Sequence, residues 1–172
     1  MTQPTQVVES PALNQVDIEE IDLDLSKIIA KDTELPTKDF TYFSDNNDCR
    51  FVVKAMSAID RDRFNQWKEK QALSSLTGMG ASDVNVYKLF ADLLRRYFIG
   101  WKRLSLWDLT ELVTMRTDQY SSEEMKTSYV KYSDKNRDQI LKGDRGFCLW
   151  VLNTASERKS FQMEEDIDRL KK

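Results

Sequence analysis

The residue types that carry most protein chemistry are sparse in this chain. It has no histidine and two cysteines, Cys49 and Cys148, each close to a phenylalanine. Without histidine there is no Ser-His-Asp or Cys-His arrangement, no histidine-containing zinc site and no imidazole general base. Two lone cysteines do not make a structural zinc site. We expect both thiols to be reduced and partly buried rather than joined in a disulfide.

Two short motifs have the residue types of a ligand site. The glycine cluster "TGMGAS" at 77–82 has no preceding strand and does not match a phosphate-binding loop. The "DRDR" motif at 60–63 fits a carboxylate–guanidinium site or a solvated helix start, and we favour the second, since first-turn acids complement the helix dipole. Catalysis by Asp, Glu or Lys stays open in principle, but no spacing points to it. We predict a protein that is not an enzyme and has no cofactor, metal or small-molecule substrate.

The composition is typical of a helix-rich soluble domain, with 32% charged residues, 5 Gly and 3 Pro. The net charge of −3 does not favour generic phosphate binding. For the basic and aromatic run "RRYFIGWKR", side chains snorkelling beside a buried stripe are a simpler explanation than nucleic-acid binding. No apolar run reaches the length of about 18 residues that crosses a bilayer. We also expect no secretion signal, because the N-terminus lacks the positive and apolar regions of one.

The chain divides by composition into an arm, a domain and a tail. Residues 1–36 contain eight acidic residues and two lysines, and therefore carry a charge of −6. We predict a largely disordered acidic arm at 1–23, one compact domain at 24–163, with a short helix near 24–31, and a charged tail at 164–172. The arm is either solvated or a docking segment that orders on a partner.

The domain begins with a predicted β-hairpin. Residues 39–43 and 49–55 are rich in Phe, Tyr, Thr and Val, and "SDNND" between them supplies turn residues. Helices are predicted at 58–75, 83–102, 105–115, 122–132 and 134–160. Ser57 or Asp60 would cap the first, and Ser121 and Glu124 would form a capping box. The fold class is α+β, mainly α, with the hairpin packed on a bundle of about five helices.

The aromatic residues between Phe90 and Trp107 are numerous for a chain of this size. Aromatics at helical spacing form either a core or a groove for a partner, since Trp and Tyr are enriched at interfaces. The candidate partner-binding residues are Phe40, Tyr42, Phe51, Val53, Tyr97, Trp101 and Trp107.

Several segments follow one another in a distinctive order. "LSKIIA" at 25–30 precedes "LPT" at 35–37, "FVVKAMS" at 51–57 and "DRDRF" at 60–64. An aromatic-ended helix, with "IGW" at 99–101, then leads to the "YSSEEM" helix cap and the final "FCLWVLNTASERKSF". From about residue 24 to 161 this order resembles that of the tail assembly chaperones of long-tailed bacteriophages. The stretch 102–119 has no counterpart in that pattern, and no small-residue-rich loop precedes "YSSEEM".

The resemblance implies a protein that carries out no reaction. Such chaperones hold the aggregation-prone tape-measure protein until tail-tube subunits polymerise around it, and they are absent from the finished particle. The implied partners are thus tape-measure and tail-tube proteins in the cytoplasm of an infected host cell, with neither nucleic acid nor membrane. The hairpin would serve as a β-edge for a partner strand or for self-association. Five methionines would either supply soft apolar contacts to the partner or pack in the core, which is the usual place of Met: Met56, Met79, Met115, Met125 and Met163.

Two other functions fit a small chain without catalytic residues. One is a structural component of the phage particle, such as a connector or tail accessory. The other is a small phage-encoded inhibitor that masks a host or defence protein, with the acidic arm mimicking nucleic acid.

Overall fold

The computed structural model describes residues 35–44, 48–76 and 84–161. All of them lie in the compact unit Lys31–Lys172. Helix dominates, the strands form one antiparallel sheet, and the predicted α+β, mainly α class is confirmed. The strands and helices are β1 Thr37–Phe40, β2 Arg50–Lys54, α1 Ala58–Leu76, α2 Val86–Tyr97, β3 Phe98–Lys102, α3 Leu106–Leu112, α4 Ser122–Thr127, α5 Asp134–Gly143 and α6 Arg145–Ser156.

The sheet has the strand order β1-β2-β3. β1 opposes β2 from the pair Thr37↔Lys54 to Phe40↔Phe51. The first strand therefore begins and ends earlier than the predicted 39–43, because pairing starts next to Pro36, whose carbonyl accepts the N–H of Ala55 at 2.7 Å. Since β2 is paired on both sides, it has no edge on which a partner strand could add.

The third strand corrects the prediction of one helix over 83–102. Helix α2 ends at Tyr97, where the N–H of Phe98 donates to Leu94 O, and the chain continues directly into β3. β3 pairs with β2 through Phe51↔Trp101 and Val52↔Gly100. An isolated two-stranded hairpin is marginal in water, and a third strand gives β2 a second hydrogen-bonded neighbour. The aromatics of this segment, which fit a helical stripe, also have high strand propensity.

Three further helices are shorter than predicted. The helix expected at 105–115 is Leu106–Leu112, and the one expected at 122–132 ends at Thr127. The helix expected at 134–160 is two helices separated at Asp144. Asp144 has an extended backbone, and its carboxylate accepts the N–H of Gly146 at 2.6 Å, so it ends α5 and caps α6.

Other local predictions are confirmed by the observed caps. α1 starts where predicted, with Ser57 Oγ accepting the N–H of Asp60 at 3.3 Å. Ser121 and Glu124 form the reciprocal capping box of α4. Several predictions concern residues outside those that the structure describes. These are the acidic arm 1–23, the helix near 24–31, the tail 164–172, "TGMGAS", Met79 and Met163.

The core is built around Phe51, at the centre of β2. Its ring centroid lies 4.9 Å from that of Phe147 and 5.8 Å from those of Phe43 and Trp150. Phe147 and Trp150 belong to α6, which packs on α2 and on β2. The sheet and this helix pair therefore enclose one aromatic core. Within residues 35–44, 48–76 and 84–161, none of the helices has both the length and the apolar character needed to span a bilayer.

Candidate protein-binding surface

The seven candidate partner-binding residues do not share one surface. Phe51, Val53, Tyr97 and Trp101 are buried in the core. Phe40 and Tyr42 are half-buried and pack against that core. Trp107 is the most exposed of the seven, at 44%. Six of the seven therefore belong to the packing of the fold, and Trp107 alone indicates a binding surface.

Trp107 belongs to residues 105–129, which we call the α3–α4 hairpin. Its two ends are held together by backbone hydrogen bonds, from Leu106 N to Ser128 O at 2.9 Å and from Val130 N to Leu104 O at 2.8 Å. The indole N–H of Trp101 on β3 donates to the carbonyl of Val130 at 2.7 Å. The hairpin thus leaves the sheet and returns to it at one narrow neck.

The far end of α3 packs against α5. Leu112 is buried, and Gly143 of α5 lies against it and against Val113. A Cβ atom at Gly143 would clash with the Val113 side chain and would lie 2.8 Å from Leu112 O. The absence of a side chain at Gly143 lets the two helix ends meet. The hairpin is therefore anchored at its neck and at the end of α3.

A capping box fixes the first turn of α3 and so the position of Trp107. Ser105 Oγ accepts the N–H of Asp108 at 3.1 Å and donates to Asp108 Oδ2 at 2.6 Å. On α4, the amino group of Lys126 lies 5.1 Å from the centroid of the Trp107 ring. This is within the range of a cation–π interaction. Trp107 therefore bridges the two helices while part of it stays open to solvent.

Cavities lie on both sides of Trp107. The first, of about 300 Å³, is lined by Trp107, Asp108, Glu111 and Lys126. The second, of about 540 Å³, lies between the helices and is lined by apolar and hydroxyl-bearing side chains, among them Trp107, Thr110, Thr114, Met115, Thr117 and Tyr120. A large aromatic between a charged recess and an uncharged one is the type of anchor found at protein interfaces.

Of the residues that line the second cavity, Trp107, Met115 and Met125 were predicted from the sequence as partner contacts, and the others were not. Most of them fall in 102–119, the stretch without a counterpart in the chaperone pattern. One local signal in the sequence, the Ser105-x-x-Asp108 capping box, indicates the start of α3. The connection from 113 to 121 has no apolar periodicity, so nothing in its pattern indicates that it faces a groove.

A buried carboxylate joins α1 to α2. Asp60 is 9% exposed, and its Oδ2 accepts the Tyr97 hydroxyl at 2.6 Å and the Arg96 guanidinium at 2.8 Å. The expected solvated helix start is therefore wrong for Asp60. Burial and the Asp60 carboxylate raise the pKa of Tyr97, which keeps its hydroxyl protonated as the donor. The cluster is a helix-to-helix link.

Replacing Asp60 with alanine should lower the free energy of unfolding by about 2–3 kcal/mol, because the Tyr97 hydroxyl loses its buried acceptor. Asp92→Ala is the matched control, since its ion pair with Arg63 joins the same two helices at half-exposed positions. Asp92→Ala should lower the free energy of unfolding by at most about 1 kcal/mol. Urea denaturation of both variants measures the two free energies of unfolding. Equal decreases would show that the buried link stabilises the fold no more than the exposed ion pair does.

Both cysteines are buried in the core and neither forms a disulfide. Cys148 donates to the carbonyl of Leu141 at 2.9 Å. Burial raises the pKa of both Cys49 and Cys148 to about 12, with smaller contributions from Asp108 and Asp144 respectively. A thiol with so high a pKa is a poor nucleophile, because the thiolate is the reactive form.

The remaining polar groups do not converge on a reaction centre. Within the part of the chain that the structure describes, no group of three or more Asp, Glu or Cys side chains is placed to hold a metal ion. Comparison of the chain with models of protein families, with curated proteins and with solved structures found no match. The surface around Trp107 is thus the best-defined candidate site.

Proposed function

We propose that this chain is a non-catalytic tail assembly chaperone, which binds the tape-measure protein of a long-tailed phage in the cytoplasm of the infected cell. The order of sequence segments supports this assignment. The observation that carries the binding role is the half-exposed Trp107 between two cavities. The cavities receive side chains of the tape-measure protein and keep that protein from aggregating until tube subunits arrive.

Replacing Trp107 with alanine should reduce capture of the tape-measure protein by at least about tenfold, since central Trp residues dominate interface energies. The genes of the two proteins, taken from the same phage genome, are co-expressed, and the captured amount of tape-measure protein is measured by affinity purification. Leu89→Ala is the control, because Leu89 on α2 is similarly exposed, at 41%, and lies outside the hairpin. Equal capture by Trp107→Ala and wild type would reject this surface.

Mass spectrometry of purified phage particles separates this function from that of a structural particle protein. A chaperone is absent from the particle, whereas a connector or tail accessory is present in stoichiometric amounts. Capture of a host protein in place of the tape-measure protein would instead favour the inhibitor.

A further inference from the structure

Within the part of the chain that the structure describes, the α3–α4 hairpin is an acidic segment on an otherwise basic fold. Residues 105–129 contain five carboxylates and two cations, a net charge of −3, whereas the other described residues contain 19 Lys and Arg against 10 Asp and Glu, a net charge of +9. Asp108 and Glu124 fold back onto the capping serines. Within the described residues, the other three carboxylates, Glu111, Asp118 and Glu123, are not members of any observed ion pair.

Six of the ten described carboxylates outside the hairpin are members of ion pairs. Asp39, Asp60, Asp92 and Asp138 each pair with a lysine or arginine at 3.3 Å or less. The body of the fold therefore neutralises much of its own negative charge, whereas the hairpin leaves its charge available to a partner. Complementary charge at an interface favours a basic partner and speeds its association.

The Trp107 ring shows where one positive charge would lie. Its face already attracts the amino group of Lys126, and the Glu111 carboxylate lines the same cavity. A basic side chain from a partner would find the same aromatic face and a nearby counter-ion. On the other side of Trp107, the uncharged cavity of about 540 Å³ suits an apolar side chain.

We infer, on the basis of the proposed protein-binding function, that the hairpin binds a cationic amphipathic segment of its partner. One apolar side chain of that segment occupies the cavity lined by Thr110, Met115 and Tyr120. A neighbouring lysine or arginine lies over Trp107 and displaces Lys126 from the ring.

Two synthetic helical peptides of about 20 residues test the charge requirement with the full-length protein. They share a leucine-rich apolar face and differ in carrying either lysine or glutamate on its flanks. Fluorescence anisotropy of the labelled peptides should show that the lysine peptide binds at least about tenfold more tightly than the glutamate peptide. Added salt should weaken binding of the lysine peptide, because salt screens the exposed charges of the peptide and the hairpin. Equal affinities would overturn the inference.

Lys126→Gln should tighten binding of the lysine peptide, because the substitution removes the lysine that occupies the Trp107 face. Arg116→Gln is the matched control, since it changes the hairpin charge equally and Arg116 lines neither cavity. We expect the Lys126→Gln variant to bind the lysine peptide about threefold more tightly than the Arg116→Gln variant does. Equal effects of the two variants would show attraction by net charge alone and would overturn the placement over Trp107.

Loss-of-binding variants complete the test. Trp107→Ala should abolish binding of the lysine peptide, and Glu111→Gln should weaken it, while Glu69→Gln on α1 should leave it unchanged. Thermal unfolding of each variant establishes that it is folded. Undiminished binding by folded Trp107→Ala would overturn the inference.

The two proposals fail separately. If the tape-measure protein is captured through Trp107 but the peptides do not differ, the binding function stands and the cationic partner is wrong. If the lysine peptide binds as expected but the tape-measure protein is not captured, the surface stands and the chaperone function is wrong.

Discussion

Replacing Phe51 with alanine should lower the free energy of unfolding by about 3–5 kcal/mol, the usual cost of truncating a fully buried phenylalanine. The ring is fully buried and contacts aromatic rings from three parts of the fold, including Phe43, Phe98 and Phe147. Its removal leaves a cavity between the sheet and α6, because three strands and two helices cannot all shift to fill it.

Phe40→Ala is the control for this substitution. Phe40 is the partner of Phe51 across the β1–β2 pair, but it is half-buried and contacts Phe161 at the margin of the core. Its truncation should cost clearly less than that of Phe51, about 1–2 kcal/mol. Urea denaturation followed by circular dichroism measures both values. A similar cost at the two positions would mean that the core is not centred on Phe51.

Alkaline pH should destabilise the protein through Cys49 and Cys148. Their pKa is about 12 in the folded chain and 9.0 as the ordinary value. Below pH 9 the thiols are protonated in both the folded and the unfolded chain, so their ionisation does not lower the free energy of unfolding. Above it the unfolded chain ionises first, so stability falls as the pH rises toward 12. Linkage gives a loss of about 1 kcal/mol per thiol at about pH 10 and about 3 kcal/mol at about pH 11.

The double variant Cys49→Ala, Cys148→Ala isolates this contribution. Lysines and tyrosines titrate in the same pH range, but the wild type and the double variant share them. Ionisation of Tyr97, whose pKa is raised in the folded chain, lowers the free energy of unfolding of both proteins alike. The free energy of unfolding of the wild type should therefore fall more steeply between about pH 8 and 11 than that of the double variant. Parallel curves would show that the thiols ionise as readily in the folded chain as in the unfolded one.

The location of Trp107 bears on the proposed chaperone function. The stretch 102–119, which departs from the chaperone pattern, contains α3 and most of the connection to α4. The proposed binding surface therefore lies on the part of the chain that the resemblance does not describe. Under the proposed chaperone function, this hairpin is the part of the chain that would select the tape-measure protein.

Local signals in the sequence were sufficient for much of the fold. The Ser57 and Ser121 caps act within one turn of helix, so they marked the starts of α1 and α4 correctly. The apolar stripe from Val86 to Tyr97 likewise follows from helical periodicity, and every buried position of α2 lies on it. The fold class followed from these elements and from the strand propensity of residues 50–54.

Tertiary structure decided the features that depend on distant partners. "FIGWK" fits a helix or a strand by composition, and its pairing with β2, about 50 residues earlier, makes it β3. Asp60 is buried because Arg96 and Tyr97 are brought to it. Among the aromatic candidates, packing covered six and left Trp107 exposed. Helix caps and periodicity are properties of neighbouring residues, whereas burial is set by what the rest of the chain places alongside.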